Sequence, residues 1–247
     1  MSEEAAYDAN WWQVPKALSL ARKARHSSPA ASAKPGDTFL IVTEGEVTEP
    51  IYFELLRNDL DLLAVRIKVL PGDGSDPRHV IRTAERLAKE QQRKFRKGLL
   101  AFNEPSRYEH VWAVVDTDVA VRNNIWNDVQ QLASARKVNL AHSTPCFEFW
   151  LLLHIAGFTT RADLVDGATA KSEVKHALGR DYSTNRETAL AAIDSFVSKW
   201  PDAVGHAEGV RRHHQEARTP MPANPSTEVD RLARALNDSA LERQRKL

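Results

Sequence analysis

Two apolar runs that end in acids constrain this chain more than anything else in it. Phe39-Leu40-Ile41-Val42-Thr43 runs into Glu44-Gly45, and Val111-Trp112-Ala113-Val114-Val115 runs into Asp116-Thr117-Asp118. Short, nearly unbroken apolar runs of this length read as strands covered on both faces. Charge at the end of a buried strand is costly to desolvate and needs a compensating partner. As parallel neighbours, the two strands would bring Glu44, Asp116 and Asp118 to one edge of one sheet. Converging carboxylates repel one another unless a divalent cation lies between them. The pattern points to magnesium, with manganese as its substitute, and to chemistry on phosphate esters.

The surrounding sequence alternates as such a sheet requires. A helix is predicted over 50–60, with Ile51, Tyr52, Leu55 and Leu56 at helical spacing, and a second strand over 65–70, closed by Pro71-Gly72-Asp73-Gly74. The next helix has signals at both ends: Asp76 as cap, Pro77 in the first turn and Gly98 at the exit. Val80, Ala84, Leu87 and Ala88 form its buried stripe. The third strand covers 111–115. Ile125, Trp126, Val129, Leu132 and Ala133 mark a third helix, and a short fourth strand covers 138–142. Strand–helix–strand repeated in this way predicts an α/β fold with a mainly parallel sheet flanked by helices. Ligands bind at the carboxyl ends of such strands.

After Pro145 the pattern turns helical. An aromatic-rich helix covers 147–155, and further helices fall between about 169 and 215. Pro220, Pro222 and Pro225 break the pattern, and Ser226 is read as the cap of a last helix carrying Val229, Leu232 and Leu236 on one face. The predicted organisation is a basic flexible arm over 1–36, a catalytic α/β core over 37–156 and a mostly helical extension over 157–247 packed on the core.

Composition bounds the function classes. The 247 residues carry a net charge of only +1, so overall charge does not argue for a nucleic-acid partner. Locally, Lys16, Arg22, Lys23, Arg25 and Lys34 stand in an arm without acids between Asp8 and Asp37. Lys89, Arg93, Lys94, Arg96 and Lys97 form a second cluster relieved by Glu90. Arg22, Lys23, Arg25, Arg93, Lys94 and Lys97 are therefore candidate nucleic-acid contacts, although a solvated face is the commoner fate of such clusters. The single cysteine, Cys146, excludes an intrachain disulfide and fits a reducing compartment. The longest apolar stretch, 147–155, is interrupted by Glu148 and His154 and is too short for a membrane span. The expectation is a cytoplasmic protein. Its Trp and Leu residues after 145 serve either the core or an interface in a homo-oligomer.

Other residues matter singly. Glu46 and Glu49 follow the first strand, and Glu49 can complete a metal shell, orient water or simply complement a helix N-terminus. Glu148, inside an apolar stretch, is either paired in the core or aimed into a site. His154 reads equally as a core histidine. His206, His213 and His214 make no zinc pattern and read as a solvated face. The segment 71–76 lacks the lysine of an ATP-binding P-loop, but it can lie beside a substrate phosphate at a helix N-terminus.

Together these residues resemble a known family. Phe39-Leu40-Ile41-Val42-Thr43-Glu44-Gly45-Glu46-Val47-Thr48-Glu49-Pro50-Ile51-Tyr52-Phe53, Val115-Asp116-Thr117-Asp118, the run Ser143-Thr144-Pro145-Cys146-Phe147-Glu148-Phe149-Trp150-Leu151-Leu152-Leu153-His154, and Asn224-Pro225-Ser226-Thr227-Glu228-Val229 are similar to RloB-like proteins. The resemblance spans roughly residues 20 to 240. It implies a Toprim-type domain, with Glu44 as the glutamate after the first strand and Asp116 and Asp118 as the Asp-x-Asp after the third. It implies an anti-phage nuclease cutting DNA or transfer RNA, with magnesium as cofactor and an ATPase on a separate chain. Catalytic roles would fall to Glu44, Asp116, Asp118, Glu49 and Glu148, with metal held by Glu44, Asp116 and Asp118. The sequence departs from Toprim nucleases at Thr48, where a second acid often stands, and the nearest acid is Glu49. The cation that stabilises the leaving phosphate is Arg122 or Lys171. The alternatives are a non-catalytic metal- or nucleic-acid-binding module on the same fold, and a nucleotidyl transferase.

Overall fold

A computed structural model of the chain describes residues 37–62, 66–69, 76–101, 104–156, 163–179, 181–183 and 185–245. The predicted basic arm, with Arg22, Lys23 and Arg25, and the 71–75 loop lie outside the described residues. Five strands form one sheet in the order β2-β1-β3-β4-β5. They are β1 (Phe39–Thr43), β2 (Arg66–Val69), β3 (His110–Asp116), β4 (Asn139–Thr144) and β5 (Ser226–Thr227). The first four are parallel, and β5 pairs antiparallel with β4.

The connections explain the layers. From β1 the chain passes through α1 (Thr48–Asp59) to β2 on one side, then through α2 (Pro77–Arg96) back across β1 to β3 on the other. Right-handed crossovers in opposite directions place α1 and α2 on opposite faces. The chain then runs through α3 (Asp118–Arg122) and α4 (Trp126–Arg136) to β4. Leu40 and Val42 of β1 and Ala113 and Val115 of β3 point to one face. There they pack with Val80, Ile81 and Ala84 of α2 and with Trp126, Val129 and Ala133 of α4. Every residue of β1 is buried, as expected of a strand covered on both sides.

Helix α2 follows its sequence signals closely. Asp76 accepts the Arg78 backbone N–H at 2.9 Å, Pro77 opens the helix, and Gly98 leaves it at φ +65°. Val80 and Ala84 are buried, and Leu87 and Ala88 pack on the same cluster partly covered.

The remaining elements are α5 (Glu148–Ile155), α6 (Gly167–Leu178), α7 (Arg186–Asp194), α8 (Trp200–Glu216) and α9 (Val229–Arg245). Helix α5 packs against α6 and α8, α7 against α1, and α9 against β4 and α8. Residues Lys34–Leu247 form one compact unit. Two details correct the sequence reading. Ser226 is not a helix cap: it pairs with Thr144 in β5, and Thr227 Oγ1 accepts the Val229 backbone N–H at 3.2 Å instead. The third helix divides into α3 and α4, separated by Asn124 at φ +54°.

A buried ion pair fixes this last corner. Arg211 of α8 meets Asp230 of α9 through two bonds of 2.5 and 2.7 Å and donates a third, of 2.9 Å, to the Thr227 carbonyl. Asp230 is fully buried. Among the described residues, no helix is long and apolar enough to cross a membrane.

Candidate functional site

The strand order reverses at β1: β2 lies to one side of it, and β3, the next strand in the chain, to the other. Helices leaving such a switch point diverge to opposite faces, and they open a crevice at the carboxyl ends of the two central strands. Here those strands are β1 and β3, whose ends carry Glu44 and Asp116.

Backbone amides organise the acids. Glu44 Oε2 accepts the Asp116 N–H at 3.2 Å, and Asp116 Oδ1 accepts the Phe147 N–H at 2.9 Å. Glu49, in the first turn of α1, reaches back so that its Oε1 accepts the Gly45 N–H at 3.0 Å. Gly45 is glycine for a visible reason: a Cβ there would lie 2.2 Å from Glu49 Oε2. Glu148 opens α5 with its side chain buried. Its Oε1 accepts from the Tyr182 hydroxyl at 3.3 Å and lies 3.9 Å from Lys171 Nζ. The same Tyr182 hydroxyl is 3.3 Å from Thr48 Oγ1, which ties α1 and α5 together.

The electrostatics are those of crowded acid. Burial pushes the Glu44 carboxyl up to about 7, and Glu49, Asp118 and Asp76 add to the rise. Glu49 also rises to about 7, through burial first and then the charge of Glu148. Asp116 lies well above the carboxylate range, through burial and then Glu49, Glu44, Glu148 and Asp118 in that order. Buried Cys146 is also pushed up, by burial first and then by Glu148 and Asp116, which leaves it a small inert thiol here.

The structure therefore brings Glu44, Glu49, Asp116 and Glu148 together. Asp118 stands at the margin. One oxygen accepts the Val119 N–H at 2.7 Å, the other faces Arg122 at 3.2 Å, and the side chain is 33% exposed. Among the described residues, no three His, Cys, Asp or Glu side chains are arranged to hold a metal ion. In donor chemistry, several carboxylates with hard oxygens and one half-exposed lysine nearby suit magnesium. In this conformation the amides of Asp116, Gly45 and Phe147 engage an oxygen of each of the three acids.

Of the predicted cationic contacts, Arg93, Lys94 and Lys97 lie at the far end of α2. That helix starts at the acid edge and runs back along the sheet for 20 residues, or about 30 Å. The cations on the acid edge are instead Arg78 and Arg82 at the start of α2, Arg122 on α3 and Lys171 on α6. Tyr182 was invisible to sequence reasoning, because it comes from the short 181–183 segment with no local motif.

The histidines are structural. The buried His154 ring donates from Nδ1 to the Trp150 carbonyl at 3.0 Å and accepts the Tyr52 hydroxyl at Nε2 at 3.2 Å, and burial lowers its pKa to about 3. His206 and His214 do not form a solvated face: they donate to the carbonyls of Leu153 and Pro225, each at 2.8 Å, and His214 is buried.

A family model described as RloB-like protein matches residues 39–236, which contain every element from β1 through most of α9. The chain belongs to the RloB-like family. Neither a curated protein nor a solved structure matches it. The family match includes all four clustered acids and Asp118, together with Lys171 and Tyr182.

Proposed function

We propose that this RloB-like chain is a divalent-metal-dependent nuclease of Toprim type, hydrolysing phosphodiester bonds of DNA or RNA in anti-phage defence with an ATPase on a separate chain. One observation carries the reading. Glu44, Glu49, Asp116 and Glu148 are crowded at the switch point, with burial and mutual repulsion raising three of them, and with Lys171, 49% exposed, as the cation nearest to Glu148. Such an arrangement is unfavourable for folding and is explained by the charge it is built to receive.

Glu44, Asp116 and Glu49 would hold magnesium or manganese, with Asp118 swinging in from the margin. A bound divalent ion supplies polarisation of a phosphoryl oxygen and a lowered pKa for coordinated water. The chain's own residues do the rest. Glu148, held by Tyr182, is placed to accept a proton from attacking water. Lys171 is placed to meet a non-bridging phosphate oxygen, while Arg78, Arg82 and Arg122 flank the path of a backbone along the edge. Asp76, which Arg78 grips at 2.8 Å, keeps that arginine close to the crevice.

The amide bonds that engage three of the acids favour one alternative, a non-catalytic module on the same fold that responds to metal or nucleotide. The deciding experiment incubates labelled duplex DNA, single-stranded DNA and total transfer RNA with the full chain, in magnesium and in manganese, with and without the ATPase. Glu44→Ala and Asp116→Asn run alongside. Cleavage lost in both variants establishes the nuclease and names its substrate. Intact, folded protein that cleaves nothing with its partner present leaves the binding module, and growth of the labelled strand in nucleoside triphosphates would mean nucleotidyl transfer.

A further inference from the structure

At the sheet edge opposite the acids, the end of α2 and the 104–109 loop enclose a groove of about 920 Å³, lined by Thr38, Gln92, Phe95, Arg96, Arg107 and Glu109 among others. Its walls are tied together. Gln91 Nε2 donates to the Pro105 carbonyl at 2.7 Å, and Thr38 Oγ1 donates to the Arg107 carbonyl at 2.8 Å. The groove is thus formed before anything enters it.

Its surface is unlike the rest of the molecule. Phe95 is 56% exposed, the one large exposed aromatic among the described residues, and Leu99 beside it is 66% exposed. Charge is uneven in a specific way. The nearby acids are already engaged: Glu90 with Arg86 and Lys94, Glu109 with Arg107, and Glu104 with the Ala101 N–H. Among the described residues, Arg93, Arg96 and Lys97 have no carboxylate partner. The surface therefore offers two apolar side chains and a surplus of positive charge.

We propose that this groove docks a segment of a partner protein in which acidic side chains flank an apolar anchor. The anchor covers Phe95 and Leu99, and the acids meet Arg93, Arg96 and Lys97. A nucleic-acid strand fits less well, because Glu104 and Glu109 stand on the groove wall where a phosphate backbone would run. The groove lies at the amino ends of the strands, so an occupant leaves the acid edge open. The inference does not depend on the reaction at that edge.

The test uses the full chain. A phage-displayed library of random dodecapeptides is selected on wild type and counter-selected on a Phe95→Asp, Arg96→Glu double variant. Both side chains are solvent-facing, and matched melting curves establish that the variant folds. The expected result is enrichment of peptides carrying Phe, Leu or Trp between Asp and Glu residues. Their affinity, read by fluorescence anisotropy, should fall roughly 10-fold or more with Phe95→Ala or Arg96→Glu alone. Failure to enrich any peptide that depends on Phe95 overturns the proposal, as does enrichment of basic peptides. Three other outcomes replace it. Single-stranded oligonucleotide binding that requires Phe95 makes the groove a nucleic-acid site. A dimer lost on Phe95→Asp in sedimentation makes it a contact between copies. Failure of Phe95→Cys to react with maleimide in the native monomer, where Cys146 is buried, shows that the groove is covered by the chain itself.

Discussion

Glu44 accepts the backbone N–H of Asp116 at 3.2 Å, so the two acids that end the central strands are bonded directly to each other's strand. That bond uses backbone on one side. Asp116→Asn therefore preserves it, and an asparagine Oδ1 can still accept the Phe147 N–H. Asp116→Asn is expected to fold and, without metal at pH 7.5, to melt above wild type, because a buried charge among like charges has been removed. It is also expected to lose the thermal stabilisation that magnesium or manganese gives wild type. Differential scanning fluorimetry with and without each metal checks both halves, and equal metal-induced shifts in the two proteins would remove Asp116 from the site.

The raised pKa of Glu49 makes a pH prediction with a definite sign. Its carboxyl moves from 4.5 to about 7 on folding, through burial and then the charge of Glu148, so between those values the folded chain holds a proton that the unfolded chain has lost. Stability from this group falls as pH rises through that window. Below it both states are protonated, and above it the full cost stands, on the order of 1–3 kcal/mol. Buried His142 and His154, lowered by burial to about 4 and 3, act in the opposite sense at acid pH. The useful comparison is therefore Glu49→Gln against wild type, in which the histidine contribution cancels. The melting-temperature advantage of Glu49→Gln should be near zero at pH 4.5 and rise to a plateau above pH 7. A flat difference across that range would contradict the assignment.

Gly45→Ala separates function from fold. The new methyl would stand 2.2 Å from Glu49 Oε2 and must push that carboxylate out of the crevice, while the neighbouring backbone is not in its way. Cleavage and divalent-metal affinity should drop about as far as in Glu49→Gln, with melting temperature changed little. Loss of folding, seen by circular dichroism, would mean that the Glu49 side chain cannot relocate.

Asp230→Ala tests the distant corner. It strands the Arg211 guanidinium, which is 15% exposed, and it should cost about 3–5 kcal/mol in urea unfolding. Replacing both partners together with apolar residues should recover much of that loss. An effect under about 1 kcal/mol for the single change would mean that solvent reaches the arginine.

Much of the acid edge was legible because burial on both faces writes a strand as an unbroken apolar run, so that Glu44 and Asp116 stand out where the run stops. Glu148 stood out for the same reason within 147–155. Asp118 was over-weighted: spacing places it beside Asp116, but the turn into α3 commits its oxygens to Val119 and Arg122. Helix α3 is too short for periodicity to declare it, and β5, of two residues, has no pattern of its own. Arg211–Asp230, Tyr182 and the carbonyl partners of His206 and His214 depend on tertiary neighbours that local sequence does not encode. The position of the 89–97 cluster could have been inferred, since a crossover helix runs antiparallel to its strands and carries its last turns away from their carboxyl ends.

The antiparallel strand β5 has a consequence during synthesis. Ser143 and Thr227, whose hydroxyls lie 2.9 Å apart, are separated by 84 residues of chain. At ordinary elongation rates a ribosome needs roughly 4–17 s to cover that distance. Throughout that interval β4 has a bare edge, and the turn that carries Cys146, Phe147 and Glu148 away from it lacks its outer support. The acid crevice can be completed only when nearly the whole chain has been made, so a truncated or stalled product would be expected to lack the assembled site.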